Sequence, residues 1–214
     1  MKNIVIIGAG GFGRETALII EDINRFTQPT YTIMGFLDDG EHFHKGDIIN
    51  GYPWLGAHEW AISHKCDIEY VCAIADVYVK AKIQEELKKQ EVKFRTIIAV
   101  GAYVAERAKV GDGCVLYPGV RISVDVIIGN GVLINAYTTI GHDVKIGDYT
   151  TISPGVGVSG GCTIGYETNI GGHAYIIPGR KIGNRAVVGA GSIVISNVKD
   201  GTRVFGNPAQ KMDF

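Results

Sequence analysis

Two short stretches carry residue types that can do chemistry. The first is IGHDVKIGDYTTISPG, residues 140–155, in which His142 stands beside Asp143. An imidazole changes charge near neutral pH and can take a proton from a nucleophile. A neighbouring carboxylate can orient the ring or raise its basicity. The second is GAGGFG, residues 8–13, which matches the G-x-G-x-x-G pattern. Glycines at that spacing, after a strand and before a helix, let the backbone approach a phosphate at a helix N-terminus. Asp38 ends a second apolar run, the position from which a carboxylate holds a ribose.

Two different patterns must position these groups. NIVIIG is an apolar, β-branched run that leads into the glycines. GRETALIIEDI follows with Leu18, Ile19 and Ile23 on one helical face. YTIMGFLDDG and DIEYVCAIA read as further strands, and VKAKIQEELKKQ as an amphipathic helix with Ile83 and Leu87 four apart. Strands that alternate with helices imply a small parallel sheet. This pattern stops near Thr96 and is too short for two mononucleotide-binding halves, so the glycines read as a site for one nucleotide rather than for NAD.

From there a repeat of six begins. Ile98, Val104, Val110, Leu116, Ile122, Ile128, Ile134, Ile140, Ile146, Ile152, Val158, Ile164, Ile170, Ile176, Ile182, Val188 and Val194 are evenly spaced, without insertion. Two residues before many of them stands a second short residue, such as Val132, Thr138, Thr150, Cys162 or Thr168. Two inward positions two apart describe a short strand, and the rest of each unit turns a corner. Such units stack into a β-solenoid around one continuous inner column. The expected domains are residues 1–96, a Rossmann-like α/β half domain, and residues 97–214, the solenoid. His142 is third in its hexad and therefore falls at a corner. Arg180 falls on an inward position, where an unpaired guanidinium would be costly, so a local distortion or an outward route is expected.

Composition narrows the function. The formal net charge is −1, which gives no basic surface for nucleic acid. No apolar run approaches the roughly 20 residues that span a bilayer. Cys66, Cys72, Cys114 and Cys162 form no CxxC pair. The expectation is a soluble, cytoplasmic protein that binds no metal and inserts in no membrane.

The tandem [LIV]-G-x-x-x-x units resemble those of the hexapeptide-repeat acyltransferases, which implies a left-handed parallel β-helix with three hexads per coil. The wider set IVIIGAGGFGRE, GFLDDG, GYPWLG, GHDVKIGDYTTISPG and VFGNPAQKM is similar to the sugar acetyltransferases related to sialic-acid O-acetyltransferase. That family includes N-acetyltransferases of nucleotide-linked 4-amino-4,6-dideoxysugars, used in bacterial surface glycan synthesis. The resemblance implies acetyl-CoA as cosubstrate, a homotrimer, His142 as general base and Asp143 as its support. Eighteen residues per coil stack Gly160 on His142, and the resemblance makes the Gly160 N–H an oxyanion donor. It implies further that Thr151, Gly160, Gly172, Ala190, Arg180 and Lys211 bind the cofactor. It places Gly8, Gly10, Gly11, Phe12, Gly13, Asp38, Asp39, Lys80 and Asn135 on the nucleotide sugar. Some positions depart from the family: Thr151 and Phe12 stand where relatives carry histidine, and Gln210 where they carry lysine. Lys80 also has an ordinary reading, a solvated helix lysine, and His173 reads as an exposed corner histidine.

Three rival functions are weighed. O-acetylation of sialic acid or a related sugar uses the same chemistry. A carbonic anhydrase would need three zinc histidines, and the repeats hold only His142 and His173. A trimeric scaffold without activity leaves the His142 arrangement unexplained. For the trimer itself, Val115 and Leu133 are 18 apart on an outward register, and Thr151 continues their column. This aliphatic stripe is expected to be exposed and to form the subunit interface, with Ile127 exposed on another face.

Overall fold

The computed structural model describes residues 1–212. They form two compact units: residues 1–100 with 113–115, and residues 101–112 with 116–212.

The first unit is an α/β layer. β1 (Lys2–Ile7) leads into α1 (Gly11–Phe26), then β2 (Tyr31–Leu37), β3 (Ile48–Ile49), β4 (Tyr52–Gly56), the single-turn α2 (Trp60–Ser63), β5 (Ile68–Cys72) and α3 (Val77–Lys89). The sheet order is β3-β4-β2-β1-β5. β1 pairs in parallel with β2 and β5, and β2 in parallel with β4; only the short β3 is antiparallel. The strands are apolar because both faces are covered, and Val5, Ile7, Leu37, Tyr70, Cys72, Ile83 and Leu87 share one core. The Asp76 side chain caps α3 by accepting from the Tyr78 and Val79 N–H groups, both at 2.9 Å.

The second unit is a left-handed parallel β-helix. Its two-residue strands pair in parallel with the strand 18 residues on, as Thr139 with Gly157 and Lys145 with Thr163. Three sheets therefore run along the solenoid, and each coil contributes one strand to each. The inward aliphatic residues are buried from Leu116 to Val194; each such side chain contributes about 1.5–3 kcal/mol. The inward threonines are satisfied one coil onward: the hydroxyls of Thr138, Thr150 and Thr168 donate to the carbonyls of Ser153, Gly165 and Gly183 at 3.0, 2.7 and 2.9 Å. That removes the penalty of an unpaired buried hydroxyl. The register opens later than the repeat suggests. Ile98 is 41% exposed, and it is its neighbour Ile97 that is buried.

The corners have a common backbone device. The fourth residue of most hexads adopts positive φ, and at Asp125, Tyr137, Asp143, Tyr149, Glu167, His173 and Arg185 that residue is not glycine. The left-handed conformation costs roughly 1–2 kcal/mol for such residues. The ladder above and below holds it in place.

Candidate active site

The His142–Asp143 contact is a product of the corner. In a strand, adjacent side chains point to opposite faces. Asp143 has φ of 61°, which swings its carboxylate back toward its neighbour. His142 Nδ1 and Asp143 Oδ2 are 2.8 Å apart. With the imidazole neutral and the carboxylate ionised, this contact has Nδ1 donating and leaves a lone pair on Nε2. Both side chains are 65% exposed. The Nε2 edge lies against Gly160, one coil on: a Cβ at Gly160 would meet His142 Cε1 at 2.6 Å and overlap Nε2. Among the described residues the Gly160 N–H donates to nothing, while its carbonyl accepts from Gly179. An imidazole nitrogen and a free backbone donor thus share one solvent-accessible edge.

The other solenoid residues expected in the site lie elsewhere around the coil. From Thr151–Ile152 the chain turns at Pro154–Gly155, runs through Gly157–Val158 and only then reaches Gly160. Gly172 stacks on the Pro154 corner, and Ala190 on Gly172, where the Gly191 N–H donates to the Gly172 carbonyl at 2.8 Å. So Gly172 and Ala190 share a second edge, and a whole sheet separates it from His142. Thr151 and Asn135 lie on the third side, which runs up to that second edge. Thr151 pairs between Leu133 and Asn169. The Asn135 carboxamide accepts from the Ala136 N–H at 2.6 Å. His173 has φ of 57° and is an exposed corner histidine. Arg180 takes the outward route: its Nε donates to the Pro178 carbonyl at 3.2 Å, while its own carbonyl still accepts from Thr163. Lys211 is exposed on the terminal strand pair.

The expected exposed stripe is not there. Val115, Leu133 and Thr151 are 1%, 1% and 3% exposed in the single chain. The column is covered by the chain itself, so it cannot serve as an open subunit interface. Ile127 is exposed as expected.

In the first unit a cleft of about 310 Å³ opens at the C-terminal ends of β1, β2 and β5, lined among others by Gly8, Gly10, Gly11, Phe12, Asp38 and Asp39. That is where an open parallel sheet binds ligands. The glycines divide by role. Gly8 has φ of 100°, and a Cβ there would meet the Ala73 carbonyl at 2.9 Å. A Cβ on Gly13 would overlap the Gly8 carbonyl, so Gly13 serves helix–strand packing and does not line the cleft. Nothing lies within 4 Å of a Cβ on Gly10 or Gly11. Their bare backbone faces open space at the start of α1. Asp38 is already engaged, since Oδ2 accepts from Ala9 at 2.7 Å and Oδ1 from Gly40 at 2.8 Å. Asp39 accepts from the His58 backbone N–H at 2.8 Å and its Nδ1 at 2.6 Å. His58 carries no periodic signal and was not expected at the site.

Lys80 is neither a cleft residue nor a solvated one. It is 0% exposed on the buried face of α3 with Val77, Ala81, Gln84 and Leu87. Burial holds its amine down to about 8, partly offset by the nearby Cys72 and Cys114 thiols. Burial likewise pushes the Cys72 thiol up to about 11. The spacing could have shown this, because Lys80 stands three residues before Ile83 and seven before Leu87, on the apolar face.

A glycine-lined cleft on a parallel sheet together with a hexapeptide solenoid defines a class, the bacterial hexapeptide transferases. The family model described as the PglD N-terminal domain matches residues 3–87, and that of the bacterial transferase hexapeptide (six repeats) matches residues 125–160. Among solved structures, the chain is similar to the acetyltransferase domain of PglB from Neisseria gonorrhoeae FA1090 in complex with acetyl coenzyme A. The identity is 28%, with 99% of each chain covered and a TM-score of 0.90. WeeI from Acinetobacter baumannii AYE is 30% identical over 99% of this chain and 100% of its own, with a TM-score of 0.86. PerB from Caulobacter crescentus, in complex with CoA and GDP-perosamine, is 25% identical over 100% and 98%, with a TM-score of 0.87. No curated protein sequence matches the chain. The chain belongs to the hexapeptide-repeat, left-handed β-helix acetyltransferases that act on sugars, the family of sialic-acid O-acetyltransferase and the nucleotide-aminosugar N-acetyltransferases. It is an acetyltransferase.

Proposed function

We propose that this protein transfers the acetyl group of acetyl-CoA to the amine of a nucleotide-linked 4-amino-4,6-dideoxysugar in the bacterial cytoplasm, for surface glycan synthesis. Residues 1–96 hold the nucleotide and residues 97–214 carry the transfer. The observation that carries this reading is the His142 edge: Nδ1 committed to Asp143, Nε2 free, and the unused Gly160 N–H beside it. The sugar amine attacks the thioester carbonyl, and His142 Nε2 takes the proton the amine loses. A nitrogen–carbon bond forms, and the carbonyl oxygen becomes an oxyanion that the Gly160 N–H holds. Such a donor contributes about 2.7–4 kcal/mol to the transition state. Collapse breaks the carbon–sulfur bond, and the coenzyme leaves as the thiol with that proton. No metal and no covalent enzyme intermediate take part.

Thr151, Gly172, Ala190, Arg180 and Lys211 hold the coenzyme in this reading, yet Gly172 and Ala190 lie on a different edge from His142. In this reading the two edges come together round one thioester between neighbouring copies. A closed ring of three copies sets the His142 edge of one beside the Gly172 edge of the next and gives three equivalent sites. Relatives support the substrates, since PglB binds acetyl coenzyme A and PerB binds CoA and GDP-perosamine. The experiment is to incubate the protein with acetyl-CoA and UDP-, GDP- or dTDP-linked 4-amino-4,6-dideoxysugars and follow free thiol and product mass. An acetamido product is expected. An ester formed on a hydroxyl would favour the O-acetylation reading instead.

A further inference from the structure

The segment GYPWLGAH, residues 51–58, takes no part in acetyl transfer as described, yet four of its contacts converge on the aspartate pair. The Gly56 carbonyl accepts from the Asp38 N–H at 3.0 Å, and Trp54 Nε1 donates to the Asp38 carbonyl at 3.1 Å. Both contacts follow from the parallel pairing of β4 with β2, which sets Leu37 opposite Gly56. The turn after β4 then brings in His58, whose backbone N–H and Nδ1 bind the two oxygens of Asp39 at 2.8 and 2.6 Å. Two donors on one carboxylate fix its plane, as a guanidinium fork does.

His58 is buried, and Asp39 is the half-exposed partner that reaches the cleft. The remaining polar groups around the ring are Glu59, whose Oε2 is 3.7 Å from Nδ1, and Glu86 of α3, whose Oε2 is 3.7 Å from Nε2. Nε2 is buried and makes no hydrogen bond among the described residues. A buried nitrogen without a partner is costly, so simple packing would favour an apolar side chain here. What His58 supplies that an apolar residue cannot is the Nδ1–H on Asp39. The lone pairs of Asp39 that His58 leaves free accept from N–H or O–H donors, which a nucleoside presents on its base and ribose.

The structure assigns His58 as a positioning residue for nucleoside recognition, one that holds the Asp39 carboxylate in its accepting orientation within the glycine cleft. This rests on the reading of that cleft as the nucleotide site. The test is calorimetry of UDP, GDP, dTDP and CMP on the wild-type protein, followed by the nucleotide that binds on His58→Leu and His58→Asn. Leucine removes the Nδ1 donor, and the asparagine amide restores one near the same place. His58→Leu is expected to weaken the nucleotide about tenfold, the loss of a charge-assisted hydrogen bond, with acetyl-CoA affinity unchanged. His58→Asn recovers most of the loss, and in an Asp39→Asn background His58→Leu has no further effect. If the leucine variant does not fold, His58→Gln, whose amide lies nearer Nε2, replaces it. Unchanged nucleotide affinity in the variant overturns the assignment. So does an equal loss of acetyl-CoA affinity, or a full effect without Asp39. A wild-type protein that binds none of the four nucleotides overturns the cleft reading itself, and the assignment with it.

Discussion

At the scale of single residues, the histidine corner makes two demands that mutation can separate. His142→Ala removes the base and is expected to lower kcat by about 10²–10⁴-fold, with acetyl-CoA affinity nearly unchanged. Steady-state kinetics and calorimetry on the folded variant check this; near-normal turnover contradicts it. Gly160→Ala acts on the same ring from the other side. Its methyl group would occupy the place of His142 Nε2, an exposed and movable atom. The expected result is a stable protein with a displaced ring and a lower kcat, read from kinetics beside a melting curve. Lys80 gives a prediction for stability. Its folded pKa of about 8 lies below the ordinary lysine value of 10.5, so above pH 8 the unfolded chain binds more protons at this group and stability rises with pH. The Cys72 thiol opposes this above its unfolded value of 9.0, because it stays protonated in the folded state to about 11. Between pH 8 and 9 the lysine effect outweighs that of the thiol, which begins to ionise in the unfolded chain toward 9.0, so the net rise stays below about 1.4 kcal/mol per pH unit. Denaturant unfolding of the wild type and Lys80→Met across that window should show a rise in the wild type only. Equal slopes contradict the burial of the amine.

At the scale of elements, the glycine turn between β1 and α1 offers a contrast. Gly10→Val places its side chain in open cleft space and is expected to keep the melting temperature while nucleotide affinity falls. Gly13→Ala drives a Cβ into the Gly8 carbonyl and is expected to destabilise the first unit whether or not ligand is present. Thermal melts with and without UDP, GDP or dTDP distinguish the two, and equal loss of stability in both variants contradicts the division of roles. These elements differ in how far the sequence reveals them. The solenoid was legible because each hexad repeats one local rule, and aliphatic residues at a fixed period need no knowledge of distant contacts. The corners were legible only in part: glycine, aspartate, tyrosine, histidine and arginine all occupy the left-handed position, so no single residue type marks it. The pairing of His142 with Asp143 depends on that φ. The burial of Lys80 is hidden by its type, since lysine is usually a surface residue, although its helical phase points inward. His58 left no trace, since its role comes from a turn that tertiary pairing brings beside Asp39. Val115 and Leu133 stand on the outward register of the repeat, but outward from a coil is not the same as exposed.

At the scale of the whole molecule, the account requires more than one copy of the chain, because the two edges that bear His142 and Gly172 face different ways round the coil. Mixed oligomers test this. A His142→Ala chain refolded with a Gly172→Trp chain, each strongly impaired alone, regains activity when sites combine edges from two copies. With random mixing, one half times one half gives about a quarter of the sites intact; no recovery in verified mixed oligomers contradicts shared sites. The described residues include no helix long and apolar enough to cross a membrane. The central claim is the chemistry, acetyl transfer from acetyl-CoA to a nucleotide-linked amino sugar with His142 as the base. It is tested most directly by a mass-resolved assay of the wild type and His142→Ala on acetyl-CoA with nucleotide-linked 4-amino-4,6-dideoxysugars. The account predicts stoichiometric coenzyme A and an N-acetylated sugar nucleotide from the wild type, at a rate that falls about 10²–10⁴-fold in the variant. No acetylated sugar nucleotide from the folded wild type, or the same rate from both proteins, would contradict it.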